Sequence, residues 1–195
     1  LNGRDQLIFQ GCELVSSFDP ASGEKLWEFE GATTECVASI ATDGKHVFTS
    51  GGYPKNHVAA MLADGSGKVV WENTSRVYVP SMLVRDGHLY AVMDNGNAMC
   101  WKSDTGELMW RERLLRTTSA SPVMAGDHIY AVDENGQFAV IKADPDKFEV
   151  VAKSKLGDQV FATPTIAGGE LYIRVAENLD GRRREKLYCI SERKP

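Results

Sequence analysis

The sequence predicts an all-β fold built from repeated four-stranded units, because three landmarks recur at nearly constant spacing. The first landmark is an Asp-containing turn followed by a strand that carries a tryptophan, at Trp27, Trp71 and Trp110. The steps between these tryptophans are 44 and 39 residues. A fixed period of roughly 20 to 50 residues is typical of repeat architectures. The chain is therefore predicted to be an array of similar units.

The second landmark is an apolar–aromatic pair that follows a glycine-containing turn. Its copies are spaced by 42, 40 and 42 residues and lie at Val47-Phe48, Leu89-Tyr90, Ile129-Tyr130 and Leu171-Tyr172. The pair repeats once in each unit, as the turn and tryptophan do, so both landmarks define the same period.

The third landmark is proline, at Pro80, Pro122 and Pro164, with Ala38 in the corresponding place of the first copy. Proline has no N–H group to donate and is confined to the edges of sheets. We therefore expect these prolines to share one repeat position and to mark the first strand of each unit as an edge strand.

One unit illustrates the expected order of strands. Its strands are predicted at 117–124, 128–132, 137–143 and 148–155. Asp accepts hydrogen bonds from nearby backbone groups and Gly adopts positive φ, so the Asp- and Gly-containing turns close tight hairpins. The tryptophan of the last strand offers a large surface for burial. We assign the three tryptophans to packing between units and not to ligand binding.

Four-stranded antiparallel units of this length are typical of the blades of a β-propeller. A β-sandwich would not show such even spacing of landmarks. The chain divides into a partial blade at 1–30, complete blades at 31–74, 75–113 and 114–155, and a partial blade at 156–195. It enters at the second strand of one unit and leaves after the third strand of another, which gives eighteen strands. A closed four-bladed ring does not balance, so we expect about four and a half blades of a propeller with roughly seven or eight.

Composition excludes several classes of function. The chain has 43% hydrophobic residues, 25% charged residues and a net charge of −5. The one basic run, Arg182-Arg183-Arg184, is too small for a nucleic-acid groove. No apolar stretch approaches the roughly 20 residues that a membrane-spanning helix needs. We expect no nucleic-acid partner and no transmembrane segment here, and the opening Leu1 indicates a segment of a longer protein.

The four cysteines are widely separated, at Cys12, Cys36, Cys100 and Cys189. They form no Cys-x-x-Cys pair, which argues against a structural zinc site. Cys100 and Cys189 fall inside apolar strand patterns and are expected to be buried thiols. One disulfide is the alternative in an oxidising compartment.

Candidate functional residues lie where the sequence departs from its repeat. Two segments that should reach the mouth of the propeller channel are unusual, 51–57 and 75–78. Within them we predict that Tyr53, His57, Arg76 and Tyr78 bind an anionic or peptide partner. The structural alternative is that Tyr53 packs a longer loop and that Arg76 pairs with Glu35.

No catalytic or metal-binding constellation can be assembled from the sequence. His46, His88 and His128 recur just before the second strand and are interpreted as solvent-exposed turn residues. Asp94 and Asp133 are interpreted as ordinary turn residues. The insertion at 178–185 is expected to be a long exposed hairpin loop.

The turn-and-tryptophan landmark resembles the quinoprotein-type (PQQ-like) propeller repeat, Ala-x-Asp-x-x-Thr-Gly-x-x-x-Trp. The clearest copies lie at 102–110 and 18–27. The resemblance covers essentially the whole chain, and it is specific for the fold and not for an activity. It implies one of two classes: dehydrogenases that hold pyrroloquinoline quinone (PQQ) and calcium on the propeller axis, or cofactor-free scaffolds. The chain is closest in character to the second class, which includes the propeller lipoprotein of outer-membrane β-barrel assembly.

The dehydrogenases commonly place a disulfide between adjacent cysteines against the quinone. No adjacent cysteines occur here, and no group of Glu, Asn and Asp stands out as a calcium site. The resemblance thus implies a non-catalytic bacterial scaffold without cofactor, in the periplasm or cell envelope, that binds a protein or small ligand. The alternative is an arc of a PQQ-dependent dehydrogenase that oxidises alcohols or sugars and uses PQQ and calcium.

Overall fold

The computed structural model describes residues 3–191, which form eighteen β-strands in five antiparallel sheets and contain no helix. Blade 1 contains β1 (Leu7–Gly11), β2 (Leu14–Phe18) and β3 (Lys25–Glu30). Blade 2 contains β4 (Ala41–Thr42), β5 (His46–Gly51), β6 (His57–Leu62) and β7 (Val69–Asn73). Blade 3 contains β8 (Leu83–Arg85), β9 (His88–Val92), β10 (Asn97–Lys102) and β11 (Leu108–Arg113). Blade 4 contains β12 (Val123–Ala125), β13 (His128–Val132), β14 (Gln137–Lys142) and β15 (Val150–Lys155). Blade 5 contains β16 (Thr165–Ala167), β17 (Glu170–Leu179) and β18 (Arg182–Ile190).

Each sheet is a meander in which strands follow one another in chain order. The first strand of each four-stranded blade is short and lies at one edge of its sheet, as in β8-β9-β10-β11. These features confirm the predicted all-β propeller fold and its edge strands.

The first strands are shorter than the sequence suggested. In blade 4, β12 is limited to Val123–Ala125, whereas 117–124 was the expected range. The residues before β12 form a connection between blades 3 and 4, and their backbone groups bond to neighbouring turns. For example, the Thr118 N–H donates to the Asp94 carbonyl at 2.9 Å. The second strand lies where it was predicted, because its apolar–aromatic pair defines the ladder.

The prediction that the three prolines share one repeat position is wrong. The ladders pair Leu83 with Tyr90 and Val123 with Tyr130, so these residues correspond. Pro122 immediately precedes its strand, as Pro164 does, but Pro80 lies three residues before β8. All three prolines lie outside the ladder, where a missing N–H removes no sheet hydrogen bond, so more than one position tolerates proline.

The core is divided into four apolar clusters, one between each pair of consecutive blades. The tryptophans contribute to these clusters, which confirms their predicted packing role. Trp71 packs on blade 3, and its Nε1 donates to the Ser103 carbonyl at 2.9 Å. Trp110 does the same on blade 4, where its Nε1 donates to the Asp144 carbonyl at 2.9 Å. The rings of Trp71 and Trp110 are thus oriented by the backbone of the next blade, whereas Nε1 of Trp27 donates to the side chain of Gln6 at 2.9 Å.

The turn motif requires a glycine because the tryptophan ring of the preceding blade packs directly against it. Gly106 has φ of +71°, and a Cβ there would lie 2.6 Å from Cδ2 of Trp71. Gly65 has the same relation to Trp27, at 2.7 Å from Cδ1. A side chain at either position would be strained by the backbone and would collide with a ring.

A ladder of hydroxyl groups joins the blades at their inner ends. The backbone N–H of Ser39 donates to Oγ of Ser81 at 3.0 Å, and that of Ser81 donates to Oγ of Ser121 at 2.9 Å. The N–H of Ser121 donates to Oγ1 of Thr163 at 3.1 Å. We call these four residues the rim ladder. It connects blades 2 to 5 next to their first strands.

Two expectations about individual side chains are corrected. His46 is the first residue of β5 and is buried, not solvent-exposed, because its Nδ1 bonds to Oδ2 of Asp43 at 2.9 Å. Cys100 is buried as expected, but Cys189 is exposed on the face of blade 5 that points away from blade 4. All four cysteines lie within residues 3–191 and are free thiols there.

Candidate functional site

The turns between second and third strands and the connections between blades bond to one another on one face of the sheets. We call this face the mouth face, after the position that the sequence led us to expect for it. Recurring aspartates hold these segments together. Asp94 accepts the N–H of Tyr78 at Oδ2 (2.8 Å) and that of Val79 at Oδ1 (3.2 Å). Asp133 accepts the N–H of Arg116 at 3.3 Å and two N–H groups of its own turn. These residues, interpreted from sequence as simple turn residues, therefore also position the interblade connections. Asp94 and Asp133 recur at one repeat position, and this recurrence could have indicated their positioning role from the sequence.

The unusual segment between β5 and β6 forms a loop that presents Tyr53. The loop contains a cis peptide bond between Tyr53 and Pro54. The Tyr53 carbonyl accepts the N–H of Glu35 at 3.3 Å, which ties the loop to the connection between blades 1 and 2. The Tyr53 side chain remains 56% exposed. The ring is thus presented to solvent by a loop that is anchored through its backbone.

Tyr78 lies beside this loop and is fixed from three sides. Its hydroxyl donates to Oε2 of Glu35 at 2.6 Å, and this hydrogen bond raises the pKa of Tyr78. A Cβ at Gly52 would lie 2.5 Å from Cβ of Tyr78, so only glycine permits this approach. The guanidinium carbon of Arg76 lies 5.6 Å from the ring centroid, within cation–π range.

The structure therefore brings together three of the four predicted site residues. We call Tyr53, Arg76 and Tyr78, together with Glu35, the aromatic patch. The expected alternative pairing of Arg76 with Glu35 is not among the ion pairs of residues 3–191, and the Glu35 carboxylate is bound by Tyr78 instead. Arg76 is exposed, and its charge is left available to a partner.

His57, the fourth predicted site residue, lies apart from the patch. It is the first residue of β6, opposite Gly51, and is only 9% exposed. Its Nδ1 lies 4.0 Å from Oε2 of Glu72, and its buried Nε2 has no hydrogen-bond partner in the described part of the chain. Burial lowers the pKa of His57, against smaller opposing effects of Glu72 and the Gly31 backbone. The ring is therefore neutral at pH 7.

His57 faces a cleft of about 350 Å³ between blades 1 and 2. Backbone of 31–34 forms one wall, and the side chains of Glu13, Glu30 and Glu72 lie around the opening. The aromatic patch and this cleft are thus two separate features, one exposed and one recessed. Both offer recognition groups, and neither assembles a nucleophile with a base.

Residues 3–191 contain neither a metal-binding cluster nor a membrane-spanning helix. No group of three or more His, Cys, Asp or Glu side chains in that range is arranged to hold a metal ion. Nor does that range include a helix long and apolar enough to cross a bilayer.

Comparison with known families identifies one matching family. A family model described as outer membrane protein assembly factor BamB matches residues 12–97 and 54–147. These two matches overlap and together extend from 12 to 147, more than half of the chain.

Three curated relatives carry the same description. BamB of Moranella endobia (strain PCIT) is 27% identical over 174 residues, 83% of this chain and 43% of the relative. BamB of Legionella pneumophila (strain Paris) is 23% identical over 113 residues, 57% of this chain and 29% of the relative. BamB of Salmonella typhimurium is 28% identical over 114 residues, 57% of this chain and 28% of the relative. The chain thus spans less than half the length of these relatives.

Two solved structures share the fold. The crystal structure of BamB from Moraxella catarrhalis matches with a TM-score of 0.51 at 15% identity, over 88% of this chain and 67% of that one. A europium-containing methanol dehydrogenase matches with a TM-score of 0.50 at 14% identity, over 63% of this chain and 26% of that one. At these identities both likenesses concern the fold alone.

Proposed function

This chain belongs to the family of the outer membrane protein assembly factor BamB, and we propose from that membership that it is a non-catalytic scaffold for outer-membrane protein assembly. The scaffold works in the bacterial cell envelope and binds a protein partner through its mouth face. The function needs no cofactor. A dehydrogenase is not proposed, because the likeness to methanol dehydrogenase extends to the fold alone.

The observation that carries this proposal is the aromatic patch. Tyrosine and arginine are enriched among the residues that contribute most to protein–protein affinity. Tyr53 is exposed on an anchored loop, and Tyr78 is held by Glu35 and Gly52, so little side-chain entropy is lost on binding. Arg76 adds an unpaired positive charge over the Tyr78 ring. Together these groups suit a partner surface with apolar and acidic groups.

In this proposal His57 has a supporting role. Its ring is buried and neutral, so it contributes packing beneath the loop that carries Tyr53 and makes no direct contact with the partner. The first strands and the rim ladder keep blades 2 and 3 in a fixed relation, which holds the patch in a constant shape.

The proposal is tested with the double variant Y53A/R76A in the full-length protein. The tagged protein is crosslinked in its own bacterium, and co-purified outer-membrane proteins and assembly components are quantified. We expect recovery to fall about tenfold, as for two residues at the centre of an interface. The matched control is L108A/R111A, which removes an exposed apolar side chain and an arginine from β11.

The outcomes discriminate clearly. Reduced recovery with the patch variant and unchanged recovery with the control support the proposal. Equal recovery with wild type and Y53A/R76A would contradict binding through the patch. Reduced recovery with both Y53A/R76A and L108A/R111A would show that the effect is not local to the mouth face.

A further inference from the structure

Blade 5 carries a hairpin that is longer than those of the other blades. β17 and β18 contain 10 and 9 residues, whereas β13 and β14 contain 5 and 6. The pairing of Tyr172 with Cys189 corresponds to that of Tyr130 with Val140 in blade 4. The residues of blade 5 from 176 to 185 therefore extend beyond the blade. We call this extension the arm, and at about 3.4 Å per residue it projects about 14 Å.

Residues 178–185 are exposed and form a hairpin, as the sequence predicted, but they are paired as strands and do not form an irregular loop. Its tip is a two-residue turn in which Asp180 and Gly181 have φ of 52° and 72°. Two consecutive residues with positive φ are typical of a type I′ turn, whose twist matches that of the two strands. The polar composition of 178–185 indicated a loop, but cross-strand pairing continues to Leu179 and Arg182.

The base of the arm is anchored to the mouth face. The Ala176 N–H donates to the Gln159 carbonyl at 2.9 Å. The Asn178 N–H donates to Oδ2 of Asp158 at 2.8 Å, and Arg183 bonds to the Gln159 side chain. The arm is therefore held in place before any partner arrives.

Within residues 3–191, the charged side chains of the arm are paired except for Asp180 at its tip and two arginines. On one face Arg183 donates to Oε1 of Glu185 at 2.6 Å. On the other face Lys186 bonds to Oε2 of Glu177 at 2.6 Å, and the Tyr188 hydroxyl donates to the same carboxylate.

Arg184 lies directly opposite Glu177, but that carboxylate is already occupied. Arg182 lies opposite Leu179, which is 38% exposed. Among the ion pairs and hydrogen bonds of residues 3–191, neither Arg182 nor Arg184 has a partner. Both are exposed and lie on the same side of β18.

We propose that the arm binds an extended acidic segment of a partner protein, with carboxylates facing Arg182 and Arg184. Residues two apart on a strand are about 6.8 Å apart, which is also the spacing of alternate side chains in an extended peptide. Arginine binds carboxylates through two parallel hydrogen bonds, which favours this ligand over a point charge. Leu179, opposite Arg182, provides an apolar contact at the tip of the arm.

The net charge of the remainder of the molecule restricts where an acidic segment can bind. The whole chain has a net charge of −5, so an acidic segment is repelled by most of the protein and attracted to the arm. The arm belongs to blade 5, whereas the aromatic patch belongs to blade 2 and the connections before and after it. This second surface is additional to the proposed function and does not depend on it.

A competing explanation is protection of the sheet edge. β18 is the outermost strand of its sheet within the described residues, and charged side chains on such strands prevent edge-to-edge association. In that case removal of the two arginines would cause self-association and leave peptide binding unchanged.

The test uses a fluorescein-labelled ten-residue peptide of alternating Glu and Thr, titrated with the full-length protein and followed by fluorescence anisotropy. R182Q/R184Q should weaken binding about tenfold, since two charge-assisted contacts are lost. R111Q/K155Q removes the same charge from two exposed outer-strand positions and should leave binding unchanged. R182K/R184K should give an intermediate affinity, because lysine keeps the charge without the paired hydrogen bonds.

Several results would overturn the proposal. These are no binding of the alternating peptide, equal loss with R111Q/K155Q, or equal affinity for a peptide with five Glu followed by five Thr. Arginine-dependent binding to vesicles with a quarter of anionic phosphatidylglycerol, without peptide binding, would assign the arm to the membrane instead. Self-association of R182Q/R184Q in sedimentation velocity with unchanged peptide affinity would show edge protection. Circular dichroism confirms that each variant is folded before binding is measured.

Discussion

Substitution of Gly106 by alanine tests whether the tryptophan of one blade packs on the turn of the next. The new Cβ would lie 2.6 Å from Cδ2 of Trp71, a ring that is buried and fixed by its bond to Ser103. The positive φ of +71° costs about 1 to 2 kcal/mol for a residue with a Cβ. Overpacking against the ring costs about 1 to 3 kcal/mol more. We expect Gly106→Ala to lower the free energy of unfolding by about 3 kcal/mol.

Gly87→Ala is the matched control, because Gly87 has φ of +73° but no atom within 4 Å of a new Cβ. Only the backbone cost of about 1 to 2 kcal/mol applies there. Urea unfolding followed by circular dichroism gives the midpoint and the slope for each variant, and an unchanged slope makes the midpoints comparable.

A second genetic background, Trp71→Leu, separates the cost of collision with the ring from the cost of the positive φ. In Trp71→Leu the ring is absent, so the further cost of Gly106→Ala should fall to that of Gly87→Ala. The expected contact between residue 106 and the Trp71 ring would be contradicted if Gly106→Ala and Gly87→Ala were equally destabilising in the wild-type background. It would also be refuted if Trp71→Leu left the cost of Gly106→Ala unchanged.

Three further predictions concern single polar groups. Burial alone would raise the pKa of Asp43, but hydrogen bonds from the ring and backbone of His46 lower it overall from 3.8. Asp43→Asn should therefore destabilise the protein at about pH 7, and the difference from wild type in thermal unfolding should disappear as the pH falls through the lowered pKa. Asp94→Ala removes the acceptor of the Tyr78 N–H, so hydrogen exchange of that amide should accelerate about tenfold, with amides of blade 5 unchanged. Burial raises the pKa of Cys100 to about 12, so this thiol should not react with a disulfide reagent at about pH 8 until the protein unfolds, whereas exposed Cys12 reacts at once.

The repeated features of the fold could be predicted from the sequence because each has a local physical cause. The turn before Trp110 requires a glycine, and the pair Leu89-Tyr90 alternates between two buried faces. Such causes recur in every blade and therefore produce a visible period. The number of strands and the role of the tryptophans followed from that period.

Features that depend on how the strands pair could not be predicted from the repeat period. Pro80 and Pro122 keep a spacing of 42 residues, yet the strands they precede are 40 residues apart, so equal spacing concealed a difference of register. The arm consists of polar residues, and its ladder depends on cross-strand hydrogen bonds that have no signature in hydrophobicity.

The candidate site was predicted in part. Departure from the repeat located Tyr53, Arg76 and Tyr78, which the structure brings together around Glu35. The same argument included His57, whose burial is set by where β6 begins. The residues just before His57 are polar, so no hydrophobic pattern marked His57 as the start of β6.

The rim ladder joins each pair of consecutive blades that it connects by the same type of hydrogen bond. Each of the three joints of the ladder, from blade 2 to blade 5, uses a backbone N–H on one side and a hydroxyl on the other, as between Ser81 and Ser121. The donor is present in any residue except proline, so only the acceptor must be conserved in kind. A duplicated blade placed between two existing ones would carry both halves of the joint. The inner rim is thus compatible with growth or shortening of the array by whole blades.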